Sequence, residues 1–424
     1  MKKARFAIVG CLALVLGLAS LSAEAPTINE KKDIAIFALG YYGWNIPHET
    51  LGSIDQEIQK VFVDLGRFNI ISVTQRLSSG GLEAFIAPLQ KAKEANFVLQ
   101  EKYQFCEATL TEAEFSKLLG AFIVAVPVVS EFNSEYDSYK NQWNTDITTH
   151  VTFIDVASGG TVIGVAEVES SGTDTSSQRT SISNAIDAIP MQLQFEIRKV
   201  GAFQLSTRVL AISGGEIKLQ SGKNMGIKKG DEYSIVKTEN VEGLVQIKDV
   251  DSEFSTGQVV YSGIPLTKDL QLKEIPRLGI DMEPFFHIIA GENGATIPGI
   301  RFVPSRGYYG LRPYATVQLP LGQVWSSFTV MALPVSAGVG GEYEMHLGRL
   351  SLTPYAGAGL TYLYVSDTNF FPHVGAQAYI DTSYLLSRDM KVFAQIGVEH
   401  WQTINPLFES YGGLGFGGGV AVKL

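Results

Sequence analysis

Twelve ionisable residues in the last third of this 424-residue chain are interleaved with apolar ones: Asp281, Glu283, His287, Arg312, Glu342, Glu344, His346, Arg349, His373, Asp381, Lys391 and Glu399. Brought together, carboxylates and imidazoles could relay protons or hold a metal ion. A buried charge persists only when it is paired, so the arrangement expected is a polar network of compensating charges. Its members would include Asp281, Glu283, Arg312, Glu342, Glu344, Arg349, Asp381 and Glu399. Other chemistry lacks its residues. There is no Gly-x-Ser-x-Gly elbow, no His-Glu-x-x-His, no P-loop and no Cys-x-x-Cys. The glycine-rich runs 338–341 and 412–419 lie within alternating segments, not between a strand and a helix, so phosphate binding is not expected of them. Histidines 48, 150, 287, 346, 373 and 400 show no ligand spacing. The chain is therefore expected to be no enzyme and to carry no cofactor and no metal.

The elements that must position these charges are strands. Residues 277–424 hold 21 of the 43 glycines and only two lysines, Lys391 and Lys423. Leu414, Phe416, Val420, Val422 and Leu424 alternate with Gly413, Gly415, Gly417, Gly419, Ala421 and Lys423. Val374, Ala376, Ala378 and Ile380 alternate with His373, Gly375, Gln377, Tyr379 and Asp381 in the same way. Strict alternation means strands with one apolar face. A half-buried sandwich strand shows the same pattern, but these segments approach the roughly 10 residues that a tilted strand needs to cross a bilayer. Strands are expected near 277–289, 297–304, 309–319, 326–346, 349–365, 371–385, 390–402 and 411–424. Eight strands make the smallest closed membrane barrel, filled by its own side chains. Tyr308, Tyr309, Trp325, Tyr362, Tyr364, Phe370, Phe371, Trp401 and Tyr411 fall at segment ends, where interfacial aromatic girdles belong. This part looks like the small outer-membrane barrels of the OmpA and OmpW type, which implies residence in outer-membrane lipid.

The compartment follows from the N-terminus. Lys2, Lys3 and Arg5 precede an apolar run that ends in Ser20, Ser22, Ala23 and Ala25, the pattern of a secretory signal peptide over residues 1–25. A lipobox reading around Cys11 competes with ordinary cleavage. Without Cys11 the mature chain keeps only Cys106, so no intramolecular disulfide is expected. With 33 Lys+Arg against 43 Asp+Glu the net charge is −10, and a nucleic-acid partner is not expected.

Between leader and barrel the pattern is mixed. Asp33–Leu39 reads as a buried strand, 49–65 as a helix, 70–73 as a strand, and 81–95 and 112–119 as helices. Strands follow over 121–132, 145–155 and 161–169, then a polar loop over 170–178 and one helix over 181–199. The DIAIFAL strand, GRFNIISV, AFIVAVPVVSEF and VTFIDVASGGTVIGVAEVESSG resemble the periplasmic domains of the curli secretion channel family (CsgG-like) and the flagellar assembly protein T family (FlgT-like). From Arg208 onward, Gly222, Gly226, Gly230 and Asp231 punctuate short alternating strands, because tight turns need positive φ or close backbone approach. That run resembles the SH3-like module of the flagellar T family.

The fold expected is multidomain, α/β plus all-β. It comprises a signal peptide (1–25), a periplasmic α/β domain (26–205), an SH3-like β domain (206–265), a linker (266–276) and an eight-stranded transmembrane β-barrel (277–424). The resemblances imply an outer-membrane-anchored periplasmic scaffold or adaptor for a flagellar or secretion assembly, with components of that apparatus as protein partners. The alternative is a barrel whose surface loops act in adhesion or small-solute passage. A third arrangement keeps the whole chain soluble, with 277–424 as a sandwich.

Overall fold

Alternating apolar side chains on a strand that is greasy on both faces must be covered on both sides, and β1 (Lys32–Ala38) is so covered. A computed structural model describes residues 31–42, 46–77, 79–92, 99–105, 108–121, 123–237, 240–291, 293–305, 310–322, 333–365, 368–404 and 409–424. The expected leader, Cys11, Cys106, Tyr308, Tyr309 and Trp325 lie outside these residues, as do the side chains of Tyr364, Phe370 and Phe371.

After β1 come β2 (Gly40–Tyr41), α1 (His48–Leu65), β3 (Phe68–Arg76), α2 (Ser79–Lys91), β4 (Lys102–Phe105), β5 (Ala108–Thr111) and α3 (Glu112–Gly120). Then follow β6 (Ile123–Asp137), β7 (Gln142–Asp155), β8 (Thr161–Asp174), α4 (Gln178–Asp187) and α5 (Ile189–Lys199). The sheet order is β3-β1-β6-β7-β8, with β1 parallel to both neighbours and the rest antiparallel. Ile34 and Ile36 pack under α1, α4 and α5, against Ile58, Phe62, Ile186 and Leu193. Ala35 and Phe37 face α2 and α3, against Phe85, Leu89, Phe115 and Leu118.

Two expectations here are corrected. The polar stretch 170–178 is not all loop, because β8 runs to Asp174. Its small residues allow close helix approach: a Cβ on Gly172 would overlap the Ser181 carbonyl, and the Ser181 hydroxyl donates to the Gly172 carbonyl at 2.9 Å. The single helix over 181–199 is two, α4 and α5, because Pro190 lacks an N–H and fits only the first turn of a helix.

β9 (Ser206–Ser213), β10 (Glu216–Leu219), β11 (Glu232–Lys237), β12 (Asn240–Val250), β13 (Ser255–Ser262) and β14 (Gln271–Ile275) close into a six-stranded barrel around Val209, Leu219, Tyr233, Ile235, Val245 and Leu272. The segment expected as a linker, 266–276, therefore contains the closing strand, β14, which pairs with β9 and β11. Gly222 sits hard against the backbone of Asp251 and Phe254. Gly226 (φ 76°) meets Gly66 (φ 68°), the left-handed residue that ends α1, and a Cβ on Gly226 would strike the Leu65 carbonyl. The turn glycine is thus also a contact between the two parts.

Eight long antiparallel strands build the second, larger barrel: β15 (Ile280–Ala290), β16 (Ala295–Pro304), β17 (Leu311–Gln318), β19 (Leu333–Tyr343), β21 (Leu350–Val365), β22 (Thr368–Leu385), β23 (Met390–Thr403) and β24 (Tyr411–Lys423). Short pieces β18 (Leu321–Gly322) and β20 (Met345–Leu347) extend two of the hairpins. β15 pairs with both β16 and β24, which closes the ring. Phe286, Ile380, Ile396, Val398, Leu414 and Phe416 are exposed on its outside, while Asp281, Glu283, Asp381, Lys391 and Glu399 are buried within. A charged interior inside an apolar exterior inverts the rule for a water-soluble sheet and is the build of a strand barrel that crosses a lipid bilayer.

Candidate functional site

The alternation of eight strands aims every second side chain into a space about one side chain wide. Arg301 on β16 holds the centre of that space. Its Nε donates to Glu283 at 2.7 Å, its Nη2 reaches Asp381, and its guanidinium lies 4.2 Å from the Tyr355 ring centre. Arg312 donates to Asp281 at 3.2 Å, to Glu344 at 2.9 Å, and to Glu342. Lys391 bridges Glu283 at 3.3 Å and Glu344 at 3.2 Å. The space among Glu283, Arg301, Glu342, Asp381 and Lys391 is too small to admit water. Toward the far end, the His287 Nε2 lies 3.2 Å from Glu399, and Gln395 Nε2 lies 3.1 Å from its Nδ1. A proton on Nε2 satisfies both bonds. Among the described residues no group of His, Cys, Asp or Glu is arranged to hold a metal ion.

Seven of the eight carboxylates and cations expected in the network thus lie within the lumen. Arg349 does not join them. It sits half-buried at the rim, donates to the Leu385 carbonyl at 3.2 Å and turns its guanidinium over the Tyr261 ring, 3.9 Å away. A residue in the turn before a strand is level with the neighbouring barrel, not with the lumen charges. His346 is nearby, 3.8 Å from Glu344, and His373 bonds the Glu409 carbonyl at the other end. Trp401 and Tyr411 were expected in a lipid-facing girdle; both are buried, stacked at 5.9 Å, and packed with Ile289, Ala295 and Ile297 as an apolar stopper. Parity decides this, since Trp401 shares its face with Glu399. Sequence reasoning missed Arg301, although its place between outward Ile300 and Phe302 gave the same parity signal.

Glycine makes room for the large lumen side chains. A Cβ on Gly415 would overlap the Tyr379 hydroxyl, and one on Gly357 the Tyr314 hydroxyl.

Two buried charge clusters join the parts. In the first, Glu274 on β14 accepts from Arg67 at 2.7 and 3.1 Å, from Arg198 at 2.7 Å and from the Leu205 N–H at 3.0 Å. Arg198 also reaches Asp231 at 3.4 Å, whose other oxygen caps the Lys228 N–H at 2.7 Å. Burial would push the Glu274 carboxyl up, but the two guanidiniums outweigh it and bring it down to about 2. In the second cluster, Arg277 donates to Glu232 at 2.9 and 3.0 Å, to the Arg388 carbonyl at 2.8 Å and to Asp389, while Lys423 also pairs with Glu232. Burial again opposes ionisation of Glu232, and Lys423 and Arg277 overcome it, so its carboxyl titrates below the ordinary range. Leu385, at the near end of the large barrel, packs with Leu244, Val260 and Ile275 of the small one.

The closed ring, apolar exterior and filled lumen define the class: a transmembrane β-barrel, here continuous with a folded part that precedes it in the chain. No protein-family model and no curated protein matches the chain. Among solved structures, Neisserial surface protein A is 12% identical over 34% of this chain and 96% of its own, with a TM-score of 0.28. The hypothetical protein CT253 from Chlamydia trachomatis is 14% identical over 39% of this chain and 89% of its own, TM-score 0.24. The outer membrane channel DcaP of Acinetobacter baumannii is 10% identical over 67% and 84%, TM-score 0.18. At such scores none of the three carries an argument about this chain, and the barrel assignment rests on its own strand pairing.

Proposed function

We propose that the chain is an outer-membrane anchor that holds its soluble part, residues 31–275, on the periplasmic side as a scaffold or adaptor for an envelope assembly. The observation that carries this reading is the pair of buried clusters at Glu274 and Arg277. They fix the α/β part to the small barrel and the small barrel to the membrane barrel with no free linker between. The packed lumen supports an anchoring role over solute passage. The sheet edges at β3 and β8 are where partner strands would add. The resemblance noted in the sequence makes a flagellar or secretion apparatus the partner class, and the small barrel the SH3-like element of the adaptor.

A semi-native gel tests the barrel: a closed membrane barrel resists detergent until boiled, so the unheated chain migrates ahead of the heated one. Removal of residues 31–275, with the leader kept, tests the scaffold. Loss of motility or secretion, with the barrel still heat-shifting in the outer membrane, is expected. Unchanged motility and secretion would refute the adaptor role.

A further inference from the structure

We propose that the groove between α5, the small barrel and the turn joining β22 to β23 binds the phosphate of an anionic phospholipid headgroup. This rests on the membrane-barrel reading above. The groove encloses about 680 Å³, and Phe195, Lys199, Lys273, Arg277 and Arg388 line it. Arg277 is already neutralised by Glu232 and Asp389, which leaves Lys199, Lys273 and Arg388 to meet a ligand. The one carboxylate on its wall, Glu274, is fully buried and already bonded by Arg67 and Arg198. Lys273 is exposed and makes no ion pair with any described residue. Lys199 and Arg388 are 49% and 46% exposed; each pairs with a carboxylate of its own segment, Glu196 and Asp389, and the Lys199 ammonium also lies 5.0 Å from the Phe195 ring centre. Such exposed local pairs are weak and exchange readily for a stronger anion.

The position of the groove identifies the source of the phosphate. The turn that carries Arg388 also carries exposed Leu386 and continues into the outward residues Tyr384, Met390 and Val392, where the apolar band of the barrel begins. Headgroups lie at that level, and basic side chains there attract anionic lipid. Exposed Met191 and half-buried Phe195 recur with Lys199 at every fourth residue of α5, so one stripe of the helix runs apolar to cationic and ends in the groove. Free phosphate would have no use for that apolar stripe, whereas an acyl chain beside its headgroup would cover it.

The test uses the full chain folded in a neutral maltoside detergent, with native mass spectrometry as the readout. The probes are phosphatidylglycerol, phosphatidylcholine and inorganic phosphate. Phosphatidylglycerol should be retained in preference to phosphatidylcholine, and excess inorganic phosphate should not displace it. Combined Lys199→Ser, Lys273→Ser and Arg388→Ser should weaken retention at least tenfold, while Lys199→Arg with Lys273→Arg should preserve it. Equal retention by the serine variant overturns the proposal, and displacement by inorganic phosphate overturns the lipid source. The heat shift of each variant is read in parallel. A normal shift with unchanged retention removes only the groove, whereas no shift in the unaltered chain removes the membrane barrel itself.

Discussion

Replacing Glu274 with Gln should unfasten the α/β part from the small barrel. The change keeps the shape of the side chain but removes the one carboxylate among the described residues that is bonded to Arg67, whose side chain is 4% exposed. Arg198 keeps Asp231, at the longer distance of 3.4 Å. Two independent routes give the magnitude. Removing one partner of a buried ion pair costs about 3–5 kcal/mol, because the other charge is left without compensation. A carboxyl that moves from 4.5 to about 2 on folding gains about 3 kcal/mol at neutral pH. The agreement fixes the expectation at about 3 kcal/mol. Pulse proteolysis of the full chain in detergent across a urea series measures it, with fragments from residues 31–275 scored apart from the barrel. A loss below about 1 kcal/mol would refute the reasoning, since it would mean that Arg67 finds water or another acceptor when Glu274 is gone. Glu274→Leu with Arg67→Met, Arg198→Leu and Asp231→Asn provides the control, and should recover most of the loss, because replacing every charge of a buried cluster by packed neutral groups is near neutral.

Acid should act on the same joint. The folded carboxyls of Glu274 and Glu232 titrate below their unfolded values, so their stabilisation is complete above about pH 4.5 and fades as pH falls, for Glu274 toward about 2; protease sensitivity of residues 31–275 should rise as the pH falls, before the barrel loses its heat shift. Arg301→Met leaves Asp381 without its cation and Glu283 with Lys391 alone, at a cost of about 3–5 kcal/mol, and should lower the temperature at which the compact band disappears from semi-native gels. Gly415→Val drives side-chain atoms into the Tyr379 hydroxyl and should abolish the compact band, whereas Gly215→Ala, where nothing lies within 4 Å and φ is not positive, should leave it. Gly226→Ala should destabilise the soluble part without touching the barrel shift, through the Leu65 carbonyl and the positive φ together.

The long barrel strands were legible because each carries its own record of which face is apolar. Glu399, Lys391 and Asp381 could be placed inside by parity alone. Arg301 obeyed the same rule, in a strand that also carries two prolines, Pro298 and Pro304. β14 was unreadable for a different reason. Five residues, Gln271 to Ile275, give one alternation, and the glutamate within them looks like a solvent-facing residue. What turns Glu274 inward are Arg67 and Arg198, 207 and 76 positions away. No local pattern records a partner at that separation. Ser170 and Gly172 failed likewise, since a small polar residue under a helix leaves no hydrophobic signal.

Glu274 and Arg277 stand three residues apart on the same short stretch, so both fastenings act through a single span of backbone. A soluble part on a flexible tether samples every tilt above the membrane, and each binding event must first freeze that freedom. Here the orientation is set during folding. On the proposed anchoring role, a partner that touched one of these molecules would find the next binding surface, on a neighbouring anchor in the same bilayer, already at the same height and facing the same way. Its second contact forms at the high effective concentration of a two-dimensional array, and weak individual contacts suffice for lasting attachment.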